Sequence, residues 1–101
     1  MFVATCELDL LLGDVHSLKE KRAIVRPIVK EVRRRFDVAV AETDYQDLHR
    51  RAQVPGAGVS GDATHARGVV DACEEWGSGL PETMLVGARR RLFGGEDEGL
   101  R

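Results

Sequence analysis

Asparagine is missing from this sequence altogether, and cysteine appears only twice, at Cys6 and Cys73. Two scattered thiols are too few for a disulfide framework or a zinc site. Each falls in an apolar stretch, where a reduced thiol packs as a small hydrophobe. The simplest reading is a cytosolic protein. No run of apolar residues approaches the ~20 that a membrane span needs. The opening Met1-Phe2-Val3-Ala4-Thr5-Cys6-Glu7 has no basic lead, and Glu7 and Asp9 interrupt its apolar run. No signal peptide is expected. Aromatics are also scarce: Phe2, Phe36, Tyr45, Trp76 and Phe93 are the whole set, and none sits in a string suited to stacking RNA bases. Base-stacking recognition is therefore disfavoured.

What is present is charge, unevenly placed. Eight of the fifteen Lys and Arg residues lie between Lys19 and Arg35, against two acids, Glu20 and Glu31. The whole chain is nevertheless −2. A local basic stripe on an acidic protein suits an anionic partner, and it equally suits a solvated helix face.

The hydrophobic pattern supplies the elements. Phe2, Ala4, Cys6, Leu8, Leu10 and Leu12 alternate with polar residues, which is the period of a half-buried strand. Ser17 and Glu20 fit a capping box that starts a helix. Its apolar face is Leu18, Val25, Ile28, Val29, Val32 and Phe36, and it runs to about Arg35. Pro27 interrupts that helix and predicts a kink, since it removes one internal hydrogen bond at a cost of roughly 3 kcal/mol. A second strand is expected at Val38–Thr43 and a third from near Leu48. Asp62 then caps a second helix reaching about Trp76, with Ala66, Val69, Val70, Cys73 and Trp76 inward. After the turn at Gly77–Pro81, Thr83 to Phe93 reads as the last strand.

The order β-α-β-β-α-β predicts an α+β, ferredoxin-like fold, one four-stranded antiparallel sheet with two helices on one face. Residues 1–93 form a single domain and 94–101 a flexible acidic tail. A chain this short buries roughly 60–65% of its unfolded surface, enough for one two-layer core.

Three strings in this order resemble the YlxP-like family, domain of unknown function 503. They are Ser17-Leu18-Lys19-Glu20-Lys21-Arg22, Gln46-Asp47-Leu48 and Ala88-Arg89-Arg90-Arg91-Leu92-Phe93, supported by Leu8-Asp9-Leu10 and Val59-Ser60-Gly61-Asp62. The resemblance covers residues 1–93. It implies a ferredoxin-like fold in a small bacterial cytosolic protein. Family genes tend to sit among genes for translation and ribosome maturation, which implies a role near RNA. The family has no established reaction, so the resemblance carries over no catalytic residue. One departure is Gln53-Val54-Pro55-Gly56-Ala57-Gly58, where relatives usually carry branched apolar residues. This strand is interior in the ferredoxin-like order, and a proline there removes a ladder donor, at about 1–3 kcal/mol if a buried carbonyl is stranded. A bulge at Pro55 is expected.

Lys19, Arg22, Arg26, Lys30 and Arg33 recur at helical spacing on the face opposite the apolar one, over about 21 Å. With Arg34 they are the candidate RNA-phosphate contacts. Arg34 and Arg35 also favour the helix dipole. A second basic patch is expected from His49, Arg50 and Arg51 with Arg89 and Arg91. In a strand Arg90 faces away from Arg89 and Arg91, so one of those faces meets the helices. Gly56-Ala57-Gly58-Val59-Ser60-Gly61 matches G-x-G-x-x-G but lacks a preceding βαβ unit, and Asp62 puts negative charge where a pyrophosphate would sit. It reads as a loop or bulge. His16, His49 and His65 lack metal-ligand spacing. Ser60 lacks the flanking glycine of a nucleophile elbow. The hydrolase most at home on this fold resembles an acylphosphatase, whose site uses an Arg and a water-orienting Asn, and this chain has no Asn.

No catalytic residue, cofactor or metal is expected. The preferred expectation is a non-enzymatic cytosolic binding module that associates with ribosomal RNA or a ribosomal subunit through the first helix. The double substitution Arg26→Glu with Arg33→Glu is expected to abolish binding and leave stability unchanged. The alternative is a protein-interaction module, a homodimer through the open sheet face, with no nucleic-acid role. No membrane partner is expected.

Overall fold

The structure, a computed structural model, describes residues 1–41 and 50–94. Its elements are β1 (Phe2–Leu12), α1 (Leu18–Arg35), β2 (Ala39–Val40), β3 (Arg51–Ser60), α2 (Ala63–Ser78) and β4 (Thr83–Gly94). The sheet order is β2-β3-β1-β4, with every neighbouring pair antiparallel. This is the α+β, ferredoxin-like arrangement.

Alternation on β1 decides the core. Ala4, Cys6, Leu8, Leu10 and Leu12 are buried, and they meet Val25, Ile28, Val29 and Val32 of α1 and Ala66, Val70 and Cys73 of α2. Phe2, Phe36, Val69 and Trp76 pack around this set half-buried. Ser17 caps α1 by accepting from the Glu20 N–H at 3.1 Å. The reciprocal half of the box is displaced by one residue, because the Glu20 carboxylate accepts from the N–H of His16 at 2.9 Å. α1 runs as one helix through Pro27. Asp62 caps α2 by accepting from the Thr64 N–H at 2.8 Å.

The expected bulge at Pro55 is absent. Pairing of β3 with β1 is continuous from Phe2 opposite Ser60 to Leu11 opposite Arg51, with Glu7 opposite Pro55. The reason lies in the direction of the backbone groups. In an antiparallel ladder a residue turns its N–H and C=O to the same neighbour, and successive residues alternate neighbours. The Pro55 carbonyl accepts from the Ala41 N–H at 3.1 Å, so the position without a donor faces β2. Among the described residues β2 pairs through Ala39 and Val40, and the expected stretch at 42–43 lies outside them, so the missing donor falls beyond the last of these two pairs. The β1 side of the interior strand loses nothing at this residue.

The sheet's irregularity sits instead on the edge strand β4. Asp9 pairs with Gly87 and Leu10 with Leu85, which leaves Val86 as an extra residue. Gly56 and Gly58 of the G-x-G-x-x-G string also lie in strand rather than loop, and Gly61 follows in the bend before α2. A Cβ on Gly58 would come within 3.3 Å of both the Asp37 carbonyl and Val38, and one on Gly56 would meet Val38 and Val40. Bare backbone at these two positions lets the chain leaving α1 lie close over β3. Gly94 ends β4 at φ +131°, with its missing Cβ pointed at the Met1 carbonyl, a place only glycine fills without strain. The expected start of β3 near Leu48 and the tail beyond Gly94 lie outside the described residues.

Candidate nucleic-acid interface

α1 presents Lys19, Arg22, Arg26 and Lys30 along one exposed ridge, since its buried side is fixed by Val25, Ile28, Val29 and Val32. Lys19, Arg26 and Lys30 make no hydrogen bond or ion pair among the described residues. The ridge from Lys19 to Lys30 extends about 16 Å at 1.5 Å per residue.

The other two candidates on this helix are engaged elsewhere. Arg33 donates to the Val40 carbonyl at 2.6 Å, tying the end of α1 to β2. Arg34 holds Glu31 in a two-pronged pair at 2.9 and 3.0 Å, and Arg35 adds a third bond at 2.9 Å. Hydrogen bonds from Arg34 first, then Arg35, pull the Glu31 carboxyl from its ordinary 4.5 down to about 2. Two of the basic charges at the helix end are thus already turned to a carboxylate. Arg35 also lies over the Trp76 ring at 5.8 Å, and Trp76 meets Phe36 edge-on at 6.1 Å.

The bond from Arg33 corrects one expectation. The double substitution Arg26→Glu with Arg33→Glu would cut an anchor of β2, so lost binding and lost stability would be confounded. Lys21, a residue not singled out from the sequence, is buried at 4% exposure and partnered. The signal was available in its spacing: positions 21, 25, 28, 29 and 32 share the apolar side of the helix. Its long stem packs there with the aliphatic residues.

The second basic patch divides. Pairing places Thr5, Glu7 and Asp9 with Arg91, Arg89 and Gly87 on the open side of the sheet. Arg90, as alternation requires, points to the helix side and pairs with Asp71 of α2. Arg51 holds Asp9 at 2.5 Å, and Arg89 lies 4.0 Å from Glu7. Arg50 is exposed, and its carbonyl accepts from the Leu12 N–H at 2.6 Å. His49 lies outside the described residues. The patch is therefore a mixed strip of cations and carboxylates. Within it lies a depression of about 620 Å³, lined by Thr5, Glu7, Ala57, Arg89, Arg91 and Phe93 among others.

Elsewhere, His16 and Asp14 meet at 2.8 Å on the surface. Cys6 and Cys73 are reduced and buried, and burial followed by its neighbour Cys6 pushes the Cys73 thiol up to about 11. A thiol held protonated in this way is a poor nucleophile at neutral pH. No helix among the described residues is long and apolar enough to cross a membrane.

Two comparisons with known proteins bear on this arrangement. A stretch of 58 residues is 36% identical to the uncharacterized protein YlxP of Bacillus subtilis (strain 168), covering 57% of this chain and 63% of that relative. The model of the family described as "Protein of unknown function (DUF503)" matches residues 3–90, the whole of the sheet up to Arg90 and both helices. The chain belongs to the DUF503 family.

Proposed function

We propose that this protein is a non-enzymatic RNA-binding module of the cytosol that associates with ribosomal RNA or a ribosome-assembly particle, gripping backbone phosphates through α1. The observation that carries this reading is the exposed ridge of Lys19, Arg22, Arg26 and Lys30, set on a rigid helix. Its acidic counterweight, Glu31, is occupied by Arg34 and Arg35. Cations held at helical spacing on one element match a row of phosphates without ordering a loop, which keeps the entropic cost of binding low. Such contacts read charge and shape, with little sequence preference.

Binding by four phosphate contacts loses about 100-fold in affinity between 50 and 200 mM salt. Co-sedimentation of the purified protein with ribosomal subunits is therefore expected at low salt and lost as salt rises. Absence from the subunit pellets at low salt would end this reading.

A second reading is a homodimer through the open sheet face, favoured by exposed apolar side chains there. Val59 and Phe93 flank Val3 across three strands, with Val59 61% and Phe93 42% exposed. Sedimentation equilibrium decides it, since a strict monomer at high concentration leaves that face without this partner.

A further inference from the structure

On the open face of the sheet, opposite the helices, the small side chains of Thr5, Pro55 and Ala57 form a floor, with Glu7 of β1 rising beside it. Arg89, Arg91 and Phe93 stand along β4 as a wall. The volume of about 620 Å³ is that of a small-ligand site. Its chemistry is specific. Arg89 is shared with Glu7 at 4.0 Å. Arg91 has no partner among the described residues. Two guanidiniums against one carboxylate leave a net charge near +1, matched to one phosphate. Phe93 offers an exposed aromatic plane two residues along the same strand, on the same side.

An anion beside an aromatic plane is the recognition pattern for a nucleotide. We propose that this depression binds a single unpaired nucleotide, its base against Phe93, its phosphate on Arg91 and Arg89. The paucity of aromatics in the sequence argued against stacking, but one aromatic suffices where pairing sets it beside two arginines. Glu7 adds a preference. An ionised carboxylate only accepts hydrogen bonds, so it favours bases that present an amino group, cytosine, adenine and guanine, over uracil, whose one base donor is its ring N3–H. This site lies on the face of the sheet away from α1, and it stands or falls separately from the phosphate ridge.

The test is a titration of the isotopically labelled full chain with cytidine monophosphate, hexacytidylate and hexauridylate, followed by amide shifts and by affinity. Saturable shifts confined to Thr5, Glu7, Ala57, Arg91 and Phe93 are expected, with hexacytidylate tighter than hexauridylate. Phe93→Ala and Arg91→Gln should each weaken hexacytidylate binding about tenfold. Neither should alter binding of a duplex RNA held by α1, and amide dispersion should report an intact fold. Glu7→Gln, which can donate as well as accept, should erase the preference over uridylate. Equal affinity for the monophosphate and the hexamer would assign the site to a free nucleotide, and a tighter hexamer assigns it to single-stranded RNA. Shifts confined to α1, or unchanged hexamer affinity in both Phe93→Ala and Arg91→Gln, would overturn the proposal. So would a dimer through this face that shows no shifts at all.

Discussion

Glu31 determines how much of the α1 charge is available. Its carboxyl is depressed from 4.5 to about 2 by the hydrogen bonds of Arg34 and Arg35. A lowered carboxyl contributes stability that is fully present above its unfolded value and is lost as pH falls through its folded one. That window runs from about pH 5 to about pH 2. The pair is exposed, so salt should weaken the effect. Urea midpoints measured across this range should show an acid limb that Glu31→Gln removes in part. The same substitution releases Arg34 and Arg35 and should tighten RNA binding at neutral pH. An affinity unchanged or weakened by Glu31→Gln would show that the helix end takes no part. Arg33 behaves differently, because its bond to Val40 is internal. Arg33→Ala should lower stability by about 1 kcal/mol, seen as a shifted urea midpoint with an unchanged slope.

At the scale of elements, the two helices and β1 were legible because their signals are local. The period of two in Phe2–Leu12 and the Ser17 and Asp62 caps depend only on neighbours in sequence. β3 was harder to read, since Pro55, Gly56 and Gly58 count against a strand on propensity alone. What rescues them is tertiary: Pro55 turns its donor-free side to the end of β2, and Gly56 and Gly58 make room for Val38. The same absence of pairing information hid the bulge at Val86 and the bond that takes Arg33 to the Val40 carbonyl. These particulars predict unequal substitutions within one strand. Pro55→Val should change stability by less than about 1 kcal/mol, because the ladder with β1 does not use the lost donor. Gly58→Val should cost about 1–3 kcal/mol, from crowding against Asp37 and Val38. Denaturant unfolding of the two variants compares them directly, and an equal loss in both would contradict this account of β3.

For the molecule as a whole, the sheet separates two chemically different faces. One carries the helices and, on α1, a ridge of cations on a chain whose net charge is −2. The other is an open strip where arginines alternate with carboxylates around a shallow depression. An acidic molecule with a local basic ridge is repelled from polyanions in most orientations and attracted in one, which selects how it docks. That orientation rests on Lys19, Arg22, Arg26 and Lys30 acting together. The most direct test compares the affinity for ribosomal RNA of the native chain and of Arg26→Glu with Lys30→Glu, with urea midpoints for both. The double variant is expected to keep its stability, since neither side chain is bonded within the described fold, and to lose RNA binding at every salt concentration. Native affinity in a stably folded double variant would contradict it.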